Sequence, residues 1–394
     1  MRIGIDLSTF SSSYVGGVTT YVYGLLEGFQ KLSLNHSIVL FSNEQSADDL
    51  RERINSNKIS VISLPNLPLT MRACRKTLHV LKLTHTPLYS YFNTYAEKFV
   101  IEKNCDIIYC PLTYLRQEKY KIPSLVSMHD IQHLHHPEFF SSEELKFRAF
   151  EFHKTVTCSS AIQASSRFSK NDFIEHFASL NDSNVFIIPE GVDIEKYSVN
   201  PQVDIRKKYN LPQRFLFYPA QLWSHKNHIT ILKALKKLNR DDIALVLTGA
   251  EFTATKAIFD FIKDYELKNV YYLGKVPFED LITIYHEAEY LIIASLHESS
   301  SLPVLEAAAA GTAIITSDIA PLLEMGQNLK INYFPSLDFD YLADLIEKKW
   351  DLPNAEEQAD IEYNKEAVKK YCWKNIASKY IHLFEKINSR KFKK

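Results

Sequence analysis

Glu298 and Glu306 stand eight positions apart in His297-Glu298-Ser299-Ser300-Ser301-Leu302-Pro303-Val304-Leu305-Glu306-Ala307-Ala308-Ala309-Ala310-Gly311-Thr312. The run lies between the strand-like stretches Tyr290–Ala294 and Thr312–Thr316, and reads as a polar loop followed by a short helix. Pro303 suits the first helical position, where its missing amide proton costs nothing. The preceding Ser300, Ser301 and Leu302 then offer backbone donors that no helical carbonyl claims, which makes an anion site. Ala307–Ala310 lets the helix pack close to a sheet, and Gly311 suits a left-handed cap. Two carboxylates flanking the apolar Leu302-Pro303-Val304-Leu305 could each grip sugar hydroxyls, whereas plain solvated acids have less reason to sit there.

A cation accompanies them. Pro219-Ala220-Gln221-Leu222-Trp223-Ser224-His225-Lys226-Asn227-His228 follows a strand and opens a helix, with Ser224 as the expected N-cap. Lys226 in the first turn opposes the helix dipole by a few tenths of a kcal/mol, so a bound anion such as a phosphate would account for it. A solvated surface lysine is the other reading. Near the amino end, Gly16 and Gly17 close the polar loop after the first strand, just ahead of a helix expected from about Val18. Paired glycines there admit close approach of backbone to a ligand, or simply make a flexible connection. Gly-x-Gly-x-x-Gly is absent, which weakens a nicotinamide or flavin reading. His129, directly after a strand, could serve a ligand or act as a structural hydrogen-bonding histidine.

The elements that must position these residues alternate. Arg2–Leu7, Ser37–Phe41, Ile59–Leu64, Asp106–Cys110, Ser124–Met128 and Asn184–Ile188 read as strands with helices between several of them. The pattern restarts with Arg214–Tyr218, Ala244–Thr248, Asn269–Gly274, Tyr290–Ala294 and Thr312–Thr316, with helices near 226–238, 253–266, 277–288 and 303–310. Parallel neighbours need crossover connections, so the expected fold class is α/β, with two Rossmann-like domains facing across a cleft. The hinge is expected near residue 195, after Ile188-Pro189-Glu190-Gly191-Val192-Asp193. The domains are then 1–195 and 196–371, and 372–394 is expected to return to the first domain as a helix with a basic tail. Ligands of such sheets bind beyond the carboxyl ends of the strands, where the candidate residues fall.

Composition narrows the field. With 46 basic and 47 acidic side chains the net charge is −1, so no global basic field argues for nucleic acid. Five cysteines without CxxC spacing argue against a disulfide framework or a zinc site, and fit a reducing cytosol. The opening Met1-Arg2-Ile3-Gly4-Ile5-Asp6-Leu7 lacks a signal-peptide pattern, and no apolar run reaches eighteen residues. The expected location is cytoplasmic, with a peripheral place at the inner face of the membrane considered below. No Asp-x-Asp follows one of the strands read above, and His133, His135 and His136 alternate on a loop, so a metal-free site is expected.

Taken together, Gly16-Gly17, His129-Asp130, Ile188–Asp193, Lys226-Asn227, Gly249, Gly274 and the Glu298/Glu306 pair resemble the retaining GT-B glycosyltransferases of the family 4 group. The resemblance covers nearly the whole chain. It implies a nucleoside diphosphate-sugar donor held mainly by the C-terminal domain, an acceptor held mainly by the N-terminal one, and no metal cofactor. It further implies that Glu298 contacts the donor sugar, Glu306 the ribose hydroxyls, and Lys226 the diphosphate, assisted by the main chain of Ser300, Ser301 and Leu302. His129 would lie beside the transferred sugar. Two departures stand out: the family's Glu-Gly-Phe-Gly is here Glu298-Ser299-Ser300-Ser301, and its Gly-Arg ahead of the lysine is Ala220-Gln221, which removes a cation. The expected activity is transfer of a hexose, mannose or a relative by analogy, to a glycan or lipid-linked glycan in surface polysaccharide or lipopolysaccharide synthesis. A sugar-nucleotide epimerase or hydrolase, and a noncatalytic sugar-binding partner of a glycan-assembly complex, are the alternatives.

One further feature lies outside these motifs. Between Arg53 and Ala96 no acid occurs, while Arg72, Arg75, Lys76, His79 and Lys82 recur at helical spacing opposite Met71, Cys74, Leu78 and Leu81. This basic amphipathic helix could lie on anionic lipid, or turn its apolar side to the core. Tyr89, Tyr91, Phe92 and Tyr95 follow it, and could serve a lipid interface, sugar rings or the core.

Overall fold

The structure, a computed structural model, describes residues 1–11, 16–33, 35–64, 68–83, 86–89, 104–115, 120–351 and 355–389. The loop positions 12–15, the aromatics Tyr91, Phe92 and Tyr95, and the end of the basic tail lie outside the described residues. Two compact units result: Met1–Glu190 together with Trp373–Lys394, and Gly191–Cys372. The division falls five residues ahead of the expected hinge. Val192 already belongs to the second unit because its amide donates to the Tyr371 carbonyl and its backbone bridges to Cys372.

In the first unit, β1 (Arg2–Leu7), β2 (Ser37–Asn43), β3 (Ile59–Leu64), β4 (Ile107–Cys110), β5 (Ser124–Ser127), β6 (Ala161–Ala164) and β7 (Val185–Ile187) form one parallel sheet. Their order is β3-β2-β1-β4-β5-β6-β7, so the winding reverses between β1 and β4. All residues of β4, β5 and β6 are buried, as a parallel sheet covered on both faces requires. Sequence pattern alone misses β6: Ala161-Ile162-Gln163-Ala164 is short and poor in β-branched residues. Tertiary context makes it a strand, with Gln163 Nε2 donating to the Ile188 carbonyl at 2.6 Å.

The helix Trp373–Ser389 belongs to this unit and buries Trp373, Ile376, Ala377, Tyr380, Leu383, Phe384 and Ile387. It packs on the helix Gly17–Gln30, which starts one residue before the expected Val18. Glycine makes that approach feasible: a Cβ on Gly28 would lie 2.3 Å from the Trp373 carbonyl oxygen, and one on Gly24 2.1 Å from the Trp373 ring. Beneath the contact, the buried Tyr21 hydroxyl shares hydrogen bonds with Tyr109 at 2.6 Å and Tyr380 at 2.5 Å, and Tyr109 with Ser127 at 2.6 Å. Burial raises the pKa of all three phenols.

The second unit repeats the plan with β8 (Phe215–Pro219), β9 (Ala244–Thr248), β10 (Val270–Tyr272), β11 (Tyr290–Ile293), β12 (Ala313–Ser317) and β13 (Asn332–Phe334). The parallel order β10-β9-β8-β11-β12-β13 reverses between β8 and β11. Only three residues long, β13 also escapes the sequence pattern. Two local expectations need correction. Ser224–Lys226 is a 3-10 turn ended by Asn227 at φ 53°, and the helix starts at His228, so Lys226 precedes the helix and Ser224 does not cap it. Pro303 takes the second position of the helix Leu302–Ala310, behind Leu302, while Gly311 closes it at φ 84° as expected.

The basic helix exists as Leu69–Val80, and none of its residues is buried. Of its apolar side, Met71 and Leu78 are half-buried while Cys74 and Leu81 are exposed, so among the described residues that side is not buried in the core. Lys82 follows the helix at φ 58°.

Two predictions follow from packing. Gly28→Ala should lower stability by ~1–3 kcal/mol, although alanine normally favours a helix by about 1 kcal/mol, because the new methyl meets backbone that has no rotamer to escape into. A melting temperature at or above the parent's would contradict the close approach. His228, buried against Tyr218 with ring centroids 4.7 Å apart, has its pKa pushed down to about 3 by burial and then by Lys226. Its folded-state pKa lies below the unfolded one, so its contribution is fully present above pH ~6.5 and is lost as the pH falls towards 3, at about 1.4 kcal/mol per pH unit. His228→Gln should flatten the dependence of unfolding free energy on pH between 6 and 4 by about one proton; an unchanged slope would show that the ring is not buried in its neutral form.

Candidate functional site

The reversal of winding between β8 and β11 leaves a crevice at their carboxyl ends, because the connections leaving these strands run to opposite faces of the sheet. Ala220–Lys226 leaves β8 and Ala294–Glu298 leaves β11. The two segments are tied together, since the Leu296 amide donates to the His225 carbonyl at 2.8 Å. At this point Lys226 Nζ donates to Glu298 Oε1 at 2.5 Å. Both side chains are mostly shielded, with 22% and 13% of their surface exposed, so salt screens the pair less than it would an exposed one.

A second layer fixes the pair. Ser295 Oγ donates to the same Glu298 oxygen at 2.7 Å, and the Tyr218 hydroxyl donates to the Lys226 carbonyl at 2.8 Å while lying 3.2 Å from Ser295 Oγ. Burial, with Glu298 nearby, raises the Tyr218 pKa, so this phenol stays a neutral donor. Asn227 Nδ2 donates to the Ser336 carbonyl at 3.0 Å and anchors the far side of the turn. Sequence reasoning missed Ser295 and Tyr218. The available signal was their position at the carboxyl ends of the two strands that flank the reversal.

Ser300, Ser301 and Leu302 lead from Glu298 into the helix Leu302–Ala310. Ser301 is its N-cap residue without a side-chain cap bond, and the first-turn amides have no carbonyl within the helix to bond. Glu306 is placed differently from Glu298. It is 8% exposed, and Tyr285 donates its hydroxyl to Oε2 at 2.7 Å. Burial raises the Glu306 pKa, opposed by hydrogen bonds from Tyr285 and Tyr197. The geometry thus joins Lys226 to Glu298 and sets Glu306 in a tyrosine pocket of its own.

The remaining candidates belong to the first unit. Gly16 is the N-cap residue of the helix Gly17–Gln30, with its carbonyl accepting from the Thr19 amide at 3.0 Å and the Thr20 amide at 3.1 Å. His129 follows β5, is half-buried, and meets the Pro111 carbonyl through Nε2 at 2.9 Å. That bond requires the proton on Nε2. Burial pulls the His129 pKa down against the opposing effect of this bond, and Tyr21 packs edge-on at 5.1 Å. One convergence contradicts the expectation that no metal-ligating cluster exists: His135, in the turn Gln132–His135, meets Asp172 and His176 of the helix Arg167–His176.

Two family descriptions match the chain in succession: "Glycosyltransferase Family 4" over residues 15–196 and "Glycosyl transferases group 1" over residues 202–368. The O-antigen chain mannosyltransferase RfbU of Salmonella typhimurium is 26% identical over 204 residues, 52% of this chain and 54% of that protein. The chain therefore spans about half the length of that relative. O-antigen chain mannosyltransferase B of Escherichia coli is 23% identical over 273 residues, covering 66% and 70%. Among solved structures, Anabaena HepE in complex with UDP and glucose superposes with a TM-score of 0.72 at 17% identity, covering 98% of this chain and all of that one. With both halves matched and both sheets wound as described, the chain belongs to the GT-B glycosyltransferases of the family 4 type.

Proposed function

We propose that the protein transfers a hexose from a nucleoside diphosphate-sugar to a glycan or lipid-linked glycan, with retention of anomeric configuration and without a metal. The observation that carries this reading is the Lys226–Glu298 pair at the winding reversal of the second unit. An ammonium carries three N–H donors and the bond to Glu298 uses one, so the same nitrogen can also hold phosphate oxygens. Cleavage of the sugar–phosphate bond leaves negative charge on the diphosphate. Lys226, with the amides of Ser300, Ser301 and Leu302, would meet that charge in place, which lowers the barrier without reorganisation. Glu298, next to the phosphates and held by Ser295, would accept hydrogen bonds from the sugar hydroxyls. In a front-face attack the acceptor hydroxyl would pass its proton to the departing phosphate oxygen as the new bond to the sugar forms, so no strong base on the protein is needed. The roles of Gly16 and Gly17 toward the donor and of His129 toward the transferred sugar rest on the family resemblance, and Glu306 would take the ribose hydroxyls by exchanging a tyrosine partner for them.

The sugar and the acceptor rest on relatives. The named activities of the Salmonella and Escherichia proteins favour mannose and a surface polysaccharide, while the Anabaena structure holds UDP and glucose. Peripheral membrane contact through Arg72, Arg75, Lys76 and Lys82 is supported by the helix Leu69–Val80 having no buried residue. No helix among the described residues is long and apolar enough to cross a membrane.

Lys226→Ala should reduce turnover by ~10²–10³ while the melting temperature stays close to the parent's. Near-normal turnover in a folded variant, or transfer that stops in excess chelator and returns with manganese or magnesium, would overturn the mechanism. For the membrane, replacing Arg72, Arg75 and Lys76 together by Glu should abolish binding to anionic vesicles and leave donor affinity intact, with parent binding lost on neutral vesicles and weakened by salt. Unchanged vesicle binding, or a loss of donor affinity, would show that the helix serves another purpose.

A further inference from the structure

We propose that His135, Asp172 and His176 form a binding site for a divalent transition ion of the zinc class, separate from the donor site. His135 Nε2 lies 2.9 Å from both Asp172 carboxylate oxygens, and His176 Nδ1 lies 3.2 Å from Asp172 Oδ1. One ligand atom from each residue lies within 4.8 Å of the others. Tetrahedral zinc holds nitrogen and oxygen ligands at ~2.0–2.2 Å, which places them roughly 3.3 Å from one another. Small side-chain rotations bring the present spacing to that value.

The chemistry and the setting agree. Two imidazoles and a carboxylate suit zinc, and are poor partners for calcium or magnesium, which prefer all-oxygen sets. Asp172 is 8% exposed while both imidazoles keep 32% of their surface accessible, so the carboxylate is held from below and the imidazoles border solvent. Asp172 and His176 are four apart on one helix, whose N-cap Ser166 accepts from the Ser169 amide at 3.0 Å. His135 comes from the turn that follows the His129 loop. Its neighbours are engaged elsewhere, with His133 stacked on Phe152 at 4.7 Å and His136 Nδ1 3.1 Å from Glu138. Without metal, His135 Nε2 donates to the Asp172 carboxylate, and His176 Nδ1 donates to the Asp172 main-chain carbonyl at 2.9 Å. On binding, each ligating nitrogen gives up its proton by tautomerisation, so that the N–H of His135 moves to Nδ1 and that of His176 to Nε2, and both rings stay neutral. The ion would then staple the His129 loop to the helix Arg167–His176, a structural role that leaves the transfer chemistry metal-free.

The test is calorimetric titration of zinc into the full chain after treatment with a chelator, with visible absorption of the cobalt form as the structural readout. The parent should take up one equivalent of zinc and gain melting temperature, and cobalt should give a tetrahedral d–d band without a thiolate charge-transfer band. His135→Gln and His176→Gln, both at partly exposed positions, should each weaken zinc binding by at least ~10-fold and lose the thermal gain. No saturable zinc binding by the parent, equal binding by both variants, or a thiolate-to-cobalt band pointing to cysteine would overturn the assignment.

Discussion

Lys226 and Glu298 approach to 2.5 Å because two chain segments leave adjacent strands in opposite winding directions. Their opposite charges are drawn from polar loops into a partly shielded crevice, where the attraction is stronger than at an open surface and each carries part of the other's desolvation cost. Much of the local structure serves to keep the pair there. Tyr218 holds the Lys226 backbone, Ser295 holds Glu298, and the Leu296 amide ties the second loop to the first. Asn227 in the left-handed region ends the 3-10 turn so that Lys226 points into the crevice before the helix begins. A site built on strand ends in this way is rigid, as the electrostatic preorganisation proposed for it requires.

The first unit depends on a different constraint, the close approach of two helices. Gly24 and Gly28 remove side chains where Trp373 arrives, so the last helix sits low enough for Tyr380 to reach Tyr21 and Tyr109. The same Tyr21 packs edge-on against His129. The helix Trp373–Ser389 is thereby linked by direct contacts to the loop that carries His129. A substitution on the far side of Tyr380 thus has a physical route to that imidazole.

Much of this was legible in the sequence, and the losses have physical causes. Strand–helix alternation gave the fold class because buried parallel strands are apolar along most of their length, as in Ala244–Thr248 and Tyr290–Ile293. The strand Ala161–Ala164 was lost because its burial, rather than its residue types, makes it a strand. Lys226 and Glu298 were legible as residues, but the bond between them joins positions seventy-two apart and follows from topology alone. The helix dipole argument for Lys226 rested on a turn that the left-handed Asn227 interrupts. Glu306 was legible as a residue, but the hydrogen bond that its carboxylate accepts from Tyr285 of the preceding helix is one that no local pattern encodes. Asp172 and His176 did show helical spacing, but the third member, His135, is thirty-seven residues from Asp172.

The central claim is that Lys226, held by Glu298, receives the donor's diphosphate. Isothermal titration of a nucleoside, its monophosphate and its diphosphate into the parent and into Lys226→Gln tests it most directly. In the parent, affinity should rise along the series, and in the variant the advantage of the diphosphate over the nucleoside should collapse while nucleoside affinity is unchanged. A diphosphate advantage that survives intact in the variant would contradict the account.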